Sequence, residues 1–213
     1  DKVRTKQVLV SHGIPTPRWE VWDASWGDRL PAFGVPCVVK PSLDGSSVGV
    51  TLVHDATSFA PAVAACRNAR GAVLVEEMIE GAELTVVIRE GVAMGVIMIA
   101  PSEGFYDYEA KYQRGDTRYL FPAPLPAEVN AQVVRWAEAA YRAVGCRGVA
   151  RVDVMLRRDN EPFVLEVNTV PGMTATSLVP KVAVGVGIPF PQFAEQMLDA
   201  ARTDAEALAH GGE

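Results

Sequence analysis

Lysine is scarce in this sequence. Lys2, Lys6, Lys40, Lys111 and Lys181 stand against fifteen arginines in 213 residues. Where arginine is the default cation, a lysine in a glycine-rich or aromatic stretch draws notice. Cysteine is scarcer still: Cys37, Cys66 and Cys146 are odd in number, widely spaced and form no CxxC. They argue against a disulfide framework and read as small core hydrophobes in a reducing compartment. His12, His54 and His210 are isolated, so none is assigned to a metal. There is no run of 18 apolar residues and no signal peptide at the start, which gives the expectation of a soluble, cytoplasmic protein without a membrane partner. A basic stripe is also lacking. The net charge of −6 argues against nucleic acid as the main partner, though not against a local basic pocket for an anion. No repeat at solenoid periods and no Ser/His/Asp arrangement is present.

What is present is enough apolar residue, 49%, for a sizeable core. A short amphipathic helix is predicted over 2–11, ended by Gly13 and the Pro15–Pro17 segment. Strands are expected at 35–40 and 50–53, with a long polar loop between them. That loop holds Gly45, Ser46 and Ser47, and it reads either as a plain hairpin turn or as a loop whose N–H groups fold over phosphates. It is not a Walker A loop, since no GK[ST] follows and no helix opens there. A helix over 55–69, with Asp55 or Thr57 as N-cap, leads into a buried strand at 72–76. A hairpin over 83–89 and 92–100 turns at Glu90-Gly91. The stripe of Val133, Val134, Ala137, Ala140, Tyr141 and Val144 predicts a helix over 127–144, stopped by Gly145. A last amphipathic helix is expected from 190 to about 208, with Phe193, Met197 and Leu198 inward. Helices and strands interleave while neighbouring strands form hairpins. The fold class is therefore α+β with largely antiparallel sheets.

The chemistry concentrates in 151–177. RVDVML and PFVLEVN each alternate with period two, the pattern of half-buried strands. Asp159-Asn160 reads as a two-residue turn, because both types tolerate φ > 0. Paired residues then have numbers summing to 319, which sets Asp153 opposite Glu166 and Arg151 opposite Asn168. Two facing carboxylates about 5 Å apart repel by roughly 3 kcal/mol at an effective dielectric near 20. A divalent cation would relieve this: Asp153, Glu166 and Asn168 offer hard oxygen ligands that suit Mg²⁺. An Arg151–Glu166 or Arg151–Asp153 ion pair on a solvated sheet face would relieve it as well. Pro171-Gly172 follows, where glycine lets the backbone turn and bare an N–H beside the carboxylates.

DKVRTK, VVKPSLDGSSVGV, VEEMIEGAELTV, FYDYEAKY, RVDVML, LEVNTVPGMT and SLVP occur in this order from the first residues to about Arg202. In order and spacing they resemble the D-alanine–D-alanine ligase family of the ATP-grasp superfamily. That resemblance implies two ATP-grasp subdomains, about 1–75 and 76–213, clasping a nucleotide. It makes Lys2 and Lys40 phosphate contacts, with Ser46 and Ser47 in the loop that covers them. It gives the Glu76 carboxylate and the Glu77 carbonyl to the adenine amino group, the Ile79 N–H to a ring nitrogen, and Glu83 to the ribose. Lys111 would reach the γ-phosphate from a closing loop. Tyr112 would hydrogen-bond near Ser46 and mark the D-alanine type rather than depsipeptide-forming relatives. Asp153, Glu166 and Asn168 would hold Mg²⁺ or Mn²⁺, as two ions.

The implied reaction joins two D-alanines for peptidoglycan precursors and cell-wall growth. ATP would convert one carboxylate into an acyl phosphate, which the amine of the second then attacks. Arg151 and the Gly172 N–H would stabilise the oxyanion, while Ser177 and Leu178 would hold the second substrate's carboxylate. The family carries a further N-terminal α/β domain of roughly 90–100 residues, the size of one small domain. This sequence offers no counterpart, although the domain would lie in cis in a full-length protein. Two alternatives stand beside the ligase: an ATP-binding module inactive by itself, and an ATP-grasp amide ligase with other substrates. A homodimer is compatible with either.

Overall fold

The structure, a computed structural model, describes residues 1–202 apart from Asp28, 46–47, 68–69 and 101–117. Among the described residues two sheets form, and every strand pairing is antiparallel. This is the α+β class with antiparallel sheets that the sequence predicts.

Asp1 caps the first helix, α1 (Lys2–Ser11), its carboxylate accepting from the Val3 and Arg4 amides. The first sheet follows. It is built from β1 (Trp19–Val21), β2 (Cys37–Pro41), β3 (Thr51–Val53) and β4 (Val73–Glu77), in the order β1-β4-β2-β3. Helix α2 (Phe59–Cys66) covers it, burying Phe59, Val63 and Cys66 against Cys37, Val39 and Val75. The helix predicted over 55–69 is shorter than expected. Asp55 caps a single 3₁₀ turn at Ala56–Ser58, and the α-helix begins only at Phe59. Pro61 therefore lies in its first turn, where proline's missing N–H leaves nothing unpaired.

The second sheet contains β5 (Gly81–Arg89), β6 (Val92–Ala100), β7 (Arg118–Leu120), β8 (Val149–Arg157) and β9 (Pro162–Asn168), in the order β7-β6-β5-β8-β9. Glu90 and Gly91 both adopt positive φ, and so the β5–β6 hairpin turns where the sequence predicts. Both faces of this sheet are covered. On one, Leu84, Val86, Val152 and Val154 pack against α1 and α3 (Ala127–Val144) through Leu9, Val133, Ala137 and Tyr141. On the other, Val87, Ile97 and Val149 meet α4 (Leu178–Gly185) and α5 (Phe190–Ala200). The unbroken apolar run at 86–88 follows from this double burial. At Gly81 a Cβ would stand 1.8 Å from the Leu156 carbonyl oxygen, so β5 and β8 could not close over any other residue.

Residues 1–16 precede the first sheet in the chain yet pack on the second. Leu9 and Ile14 belong to its core, the Val164 amide donates to the Pro15 carbonyl, and Thr16 Oγ1 donates to the Val164 carbonyl.

Three expectations need correction. The sequence reading places no helix over 178–185, where α4 forms. The last helix ends at Ala200 rather than near 208, and residues beyond 202 lie outside those described. Leu198 is 76% exposed, whereas Phe193 is fully buried. Phe193 and Met197 are one turn apart and share a face, while Leu198 is rotated a further 100° toward solvent.

Candidate active site

The β8–β9 hairpin places the two acids. Asp153 pairs with Glu166 and Arg151 with Asn168, the pairs expected from the sequence. The reason differs from the expected two-residue turn. Arg157 and Glu161 close the hairpin around Arg158, Asp159 and Asn160, with Asn160 at φ 69°, a three-residue loop. That shifts the pairing nearest the turn by one, so that Val154 faces Val164. A bulge between Asp153 and Val154 takes up Leu165 and restores the register at the acids.

Glu83, Thr85, Arg151, Asp153 and Met155 occupy the sheet face opposite α1 and α3. Asp153 is 8% exposed and well partnered. Thr85 donates to it at 2.8 Å, Arg151 grips both its oxygens at 2.9 Å, and the Asn168 amide nitrogen lies 3.0 Å away. The same amide is 3.3 Å from Glu166. The Arg151–Asp153 pair thus forms in a semi-buried site rather than on a solvated face. Burial opposes the charge of Arg151, and Asp153 more than offsets it, leaving the guanidinium above its ordinary pKa.

The first sheet supplies the opposing wall. Lys40, at the end of β2, stands 2.7 Å from Glu76 on β4. Glu76 is 2% exposed, and its other oxygen faces the Lys6 ammonium at 3.0 Å. Burial pushes the Glu76 carboxyl up, but Lys40 and then Lys6 outweigh it and hold the carboxyl below the usual range. Lys2, on the same face of α1 as Lys6, donates to the Asp44 carbonyl and lies 3.6 Å from Glu166. Glu77 is clamped by Arg18 through two hydrogen bonds of 2.8 and 2.9 Å.

These groups enclose an open cleft between the sheets. Lys2, Lys40, Glu76, Glu77, Ile79, Glu83, Asp153 and Glu166 all line it. Apolar walls come from Val38, Leu52, Met155 and Leu165. Arg151 and Asn168 join through Asp153. Gly172, Ser177 and Leu178 do not line the cleft; they meet one another at the start of α4. A Cβ on Gly172 would fall 2.8 Å from Ser177 Oγ, which accepts from the Thr174 amide at 3.1 Å. Ser46, Ser47, Lys111 and Tyr112 lie outside the described residues.

Sequence reasoning missed Lys6, Thr85 and Leu165. The 83-85-87 and 151-153-155 alternation could have found Thr85. Nothing local marks Leu165, whose place depends on the bulge.

Among the described residues no three His, Cys, Asp or Glu side chains gather as a metal cluster. The candidate cation site is two carboxylates and an amide. That donor set fits a hard cation, which takes carboxylate and amide oxygens and completes its shell with water and phosphate.

The family description "D-ala D-ala ligase C-terminus" matches residues 9–199. A D-alanine–D-alanine ligase from Anaeromyxobacter sp. (strain Fw109-5) is 53% identical over 209 residues, covering 96% of this chain and 68% of the relative.

The chain belongs to the D-alanine–D-alanine ligase family.

Solved members of that family agree. The Bacillus anthracis D-alanine–D-alanine ligase complexed with ATP is 33% identical with a TM-score of 0.78, covering 94% of this chain and 65% of its own. The VanG D-Ala:D-Ser ligase from Enterococcus faecalis is 28% identical with a TM-score of 0.80, covering 94% and 61%. The chain therefore spans about two thirds of the length of the ligases it matches. A D-Ala:D-Ser ligase superposes as well as a D-alanine–D-alanine ligase does, so the fold does not select the second substrate. No helix among the described residues is long and apolar enough to cross a membrane.

Proposed function

We propose that this chain is the nucleotide-binding and amide-forming part of a cytoplasmic D-alanine–D-alanine ligase. One observation carries this reading: cations from α1 and β2 and carboxylates from β4, β8 and β9 converge on a single cleft between two sheets. In this reading the two units clasp ATP. Lys2 and Lys40 bind its phosphates, with Ser46, Ser47 and Lys111 as further contacts. The connection from Glu76 to Ile79 reads adenine, and Glu83 holds the ribose hydroxyls.

Asp153, Glu166 and the amide oxygen of Asn168 would hold Mg²⁺ or Mn²⁺, as two ions. Bound there, the cation neutralises phosphate charge. Positioning and charge neutralisation dominate phosphoryl transfer. The γ-phosphoryl passes to one D-alanine carboxylate and ADP leaves. The amine of the second D-alanine then attacks the acyl carbon, and inorganic phosphate leaves as the amide forms. Arg151 and the Gly172 N–H stabilise the developing oxyanion. Ser177 and Leu178 orient the second carboxylate, and Tyr112 favours an amine over a hydroxy-acid acceptor.

The test is calorimetric titration with ATP·Mg²⁺, followed by an ADP-release assay with D-alanine against a panel of amino acids. Binding with D-alanine-dependent ADP release supports the reading. No ATP binding, or release with another amino acid only, refutes it.

A further inference from the structure

Lys6 is wholly buried and does not line the cleft. Its ammonium donates to Thr16 Oγ1 at 2.6 Å and faces Glu76 at 3.0 Å. Thr16 is itself fixed to the Val164 carbonyl at 2.7 Å, so the lysine has a rigid seat. On the other side of Glu76, Lys40 stands 2.7 Å away and does line the cleft. One buried carboxylate thus has two cations, and only one of them can reach a ligand.

The asymmetry has a chemical consequence. A phosphate entering the cleft competes with Glu76 for Lys40. A buried carboxylate that loses its counter-ion is driven toward its neutral form. An ionised carboxylate only accepts hydrogen bonds, whereas a neutral carboxyl also donates. The protonation of Glu76 therefore decides whether it meets a 6-amino or a 6-oxo purine.

We propose that Lys6 is a positioning residue for nucleobase choice: it is the resident counter-ion that keeps Glu76 ionised, and selective for a 6-amino purine, while Lys40 serves the phosphates. This rests on the reading of Glu76 as the adenine contact. Burial pulls the Lys6 ammonium down to about 8, against the raising influence of Glu76, so it still carries charge at pH 7. The charged groups that bear on it are Glu76 from β4, Lys40 from β2 and Glu166 from β9.

The experiment measures Kd for ATP and for inosine triphosphate, its 6-oxo counterpart, at pH 7. Wild type, Lys6→Met and Lys6→Arg are compared. Wild type should prefer ATP by about tenfold or more, the scale of one hydrogen bond to a charged group. Lys6→Met should lose most of that preference, and Lys6→Arg, which keeps the charge, should retain it. A merely structural role for Lys6 would weaken both nucleotides alike. A folded Lys6→Met with the wild-type preference overturns the proposal, as does a folded Lys6→Arg that loses it. If Lys6→Met does not fold, Lys6→Gln carries the same expectation. If wild type itself shows no preference, the adenine reading of Glu76 falls and this proposal with it, an outcome visible before any variant is made.

Discussion

Asp153 and Glu166 stand opposite each other on β8 and β9, and the amide of Asn168 bridges them, 3.0 Å from one and 3.3 Å from the other. With Arg151 on Asp153 at 2.9 Å and Lys2 at 3.6 Å from Glu166, the pair is neutralised from two sides by groups of the chain itself. A cation at this place must displace such contacts, so its binding is coupled to the state of Arg151 and Asn168.

Replacing Glu166 with Gln removes one charge from that set and keeps the shape. Mg²⁺-dependent ATP binding should fall while the thermal midpoint stays close to wild type. Mn²⁺ titration followed by electron spin resonance checks it. An unchanged titration would place the cation elsewhere.

Glu83 lines the cleft beside Met155, its cross-strand neighbour. Glu83→Ala should weaken ATP binding by about 1–3 kcal/mol, the scale for hydrogen bonds to a charged group. Binding of tripolyphosphate should be untouched. Calorimetry with both ligands tests this, and equal losses for both would remove Glu83 from ribose recognition.

Glu76 sets an acid limit on stability. Its folded pKa lies below the ordinary 4.5 through Lys40 and Lys6, burial notwithstanding. Its contribution is therefore complete above about pH 4.5 and declines as pH falls through the lower, folded value. Glu76→Gln leaves two lysines beside an uncharged group and should lower stability near pH 7 by about 3–5 kcal/mol, the scale for breaking a buried pair. Urea unfolding from pH 7 to pH 3 should show this deficit narrowing below pH 4.5. A deficit constant across that range would contradict the sign worked out here.

Gly81→Ala should be disproportionately harmful for one methyl group. The added carbon meets the Leu156 carbonyl oxygen, which belongs to backbone and cannot swing aside. A loss of about 1–3 kcal/mol or more is expected from forced overpacking. Thermal melting reads it, and a midpoint equal to wild type would mean that β5 and β8 can separate at no expense.

Taken alone, these 213 residues should bind ATP yet form D-alanyl-D-alanine slowly. The chain spans 68% of a relative's length, and the first substrate's ammonium has no assigned anchor among its residues. A carboxylate held loosely forfeits orientation worth up to about 7–11 kcal/mol in favourable cases. Dipeptide formation measured before and after fusing a relative's remaining third decides the matter. Equal turnover in both would show that the chain completes the pocket unaided.

The sequence by itself determined the local elements. Period-two alternation set β8 and β9, an apolar stripe ending at Gly145 set α3, and Glu90-Gly91 set a hairpin turn. It also determined that Arg151 and Asp153, and likewise Glu166 and Asn168, share a face of their strand, because strand alternation is a nearest-neighbour property that needs no knowledge of the rest of the chain. The pairing across the hairpin arose from two irregularities that cancel, a three-residue loop and a bulge at Leu165. Tertiary structure decided what surrounds those acids. Residues 1–16 cross over to the second sheet, which brings Lys2 to Glu166 and buries Lys6 against Glu76, seventy positions away in the chain. In sequence Lys6 is one more charge on a short helix. Its burial depends on packing between distant segments, and no local periodicity carries that information.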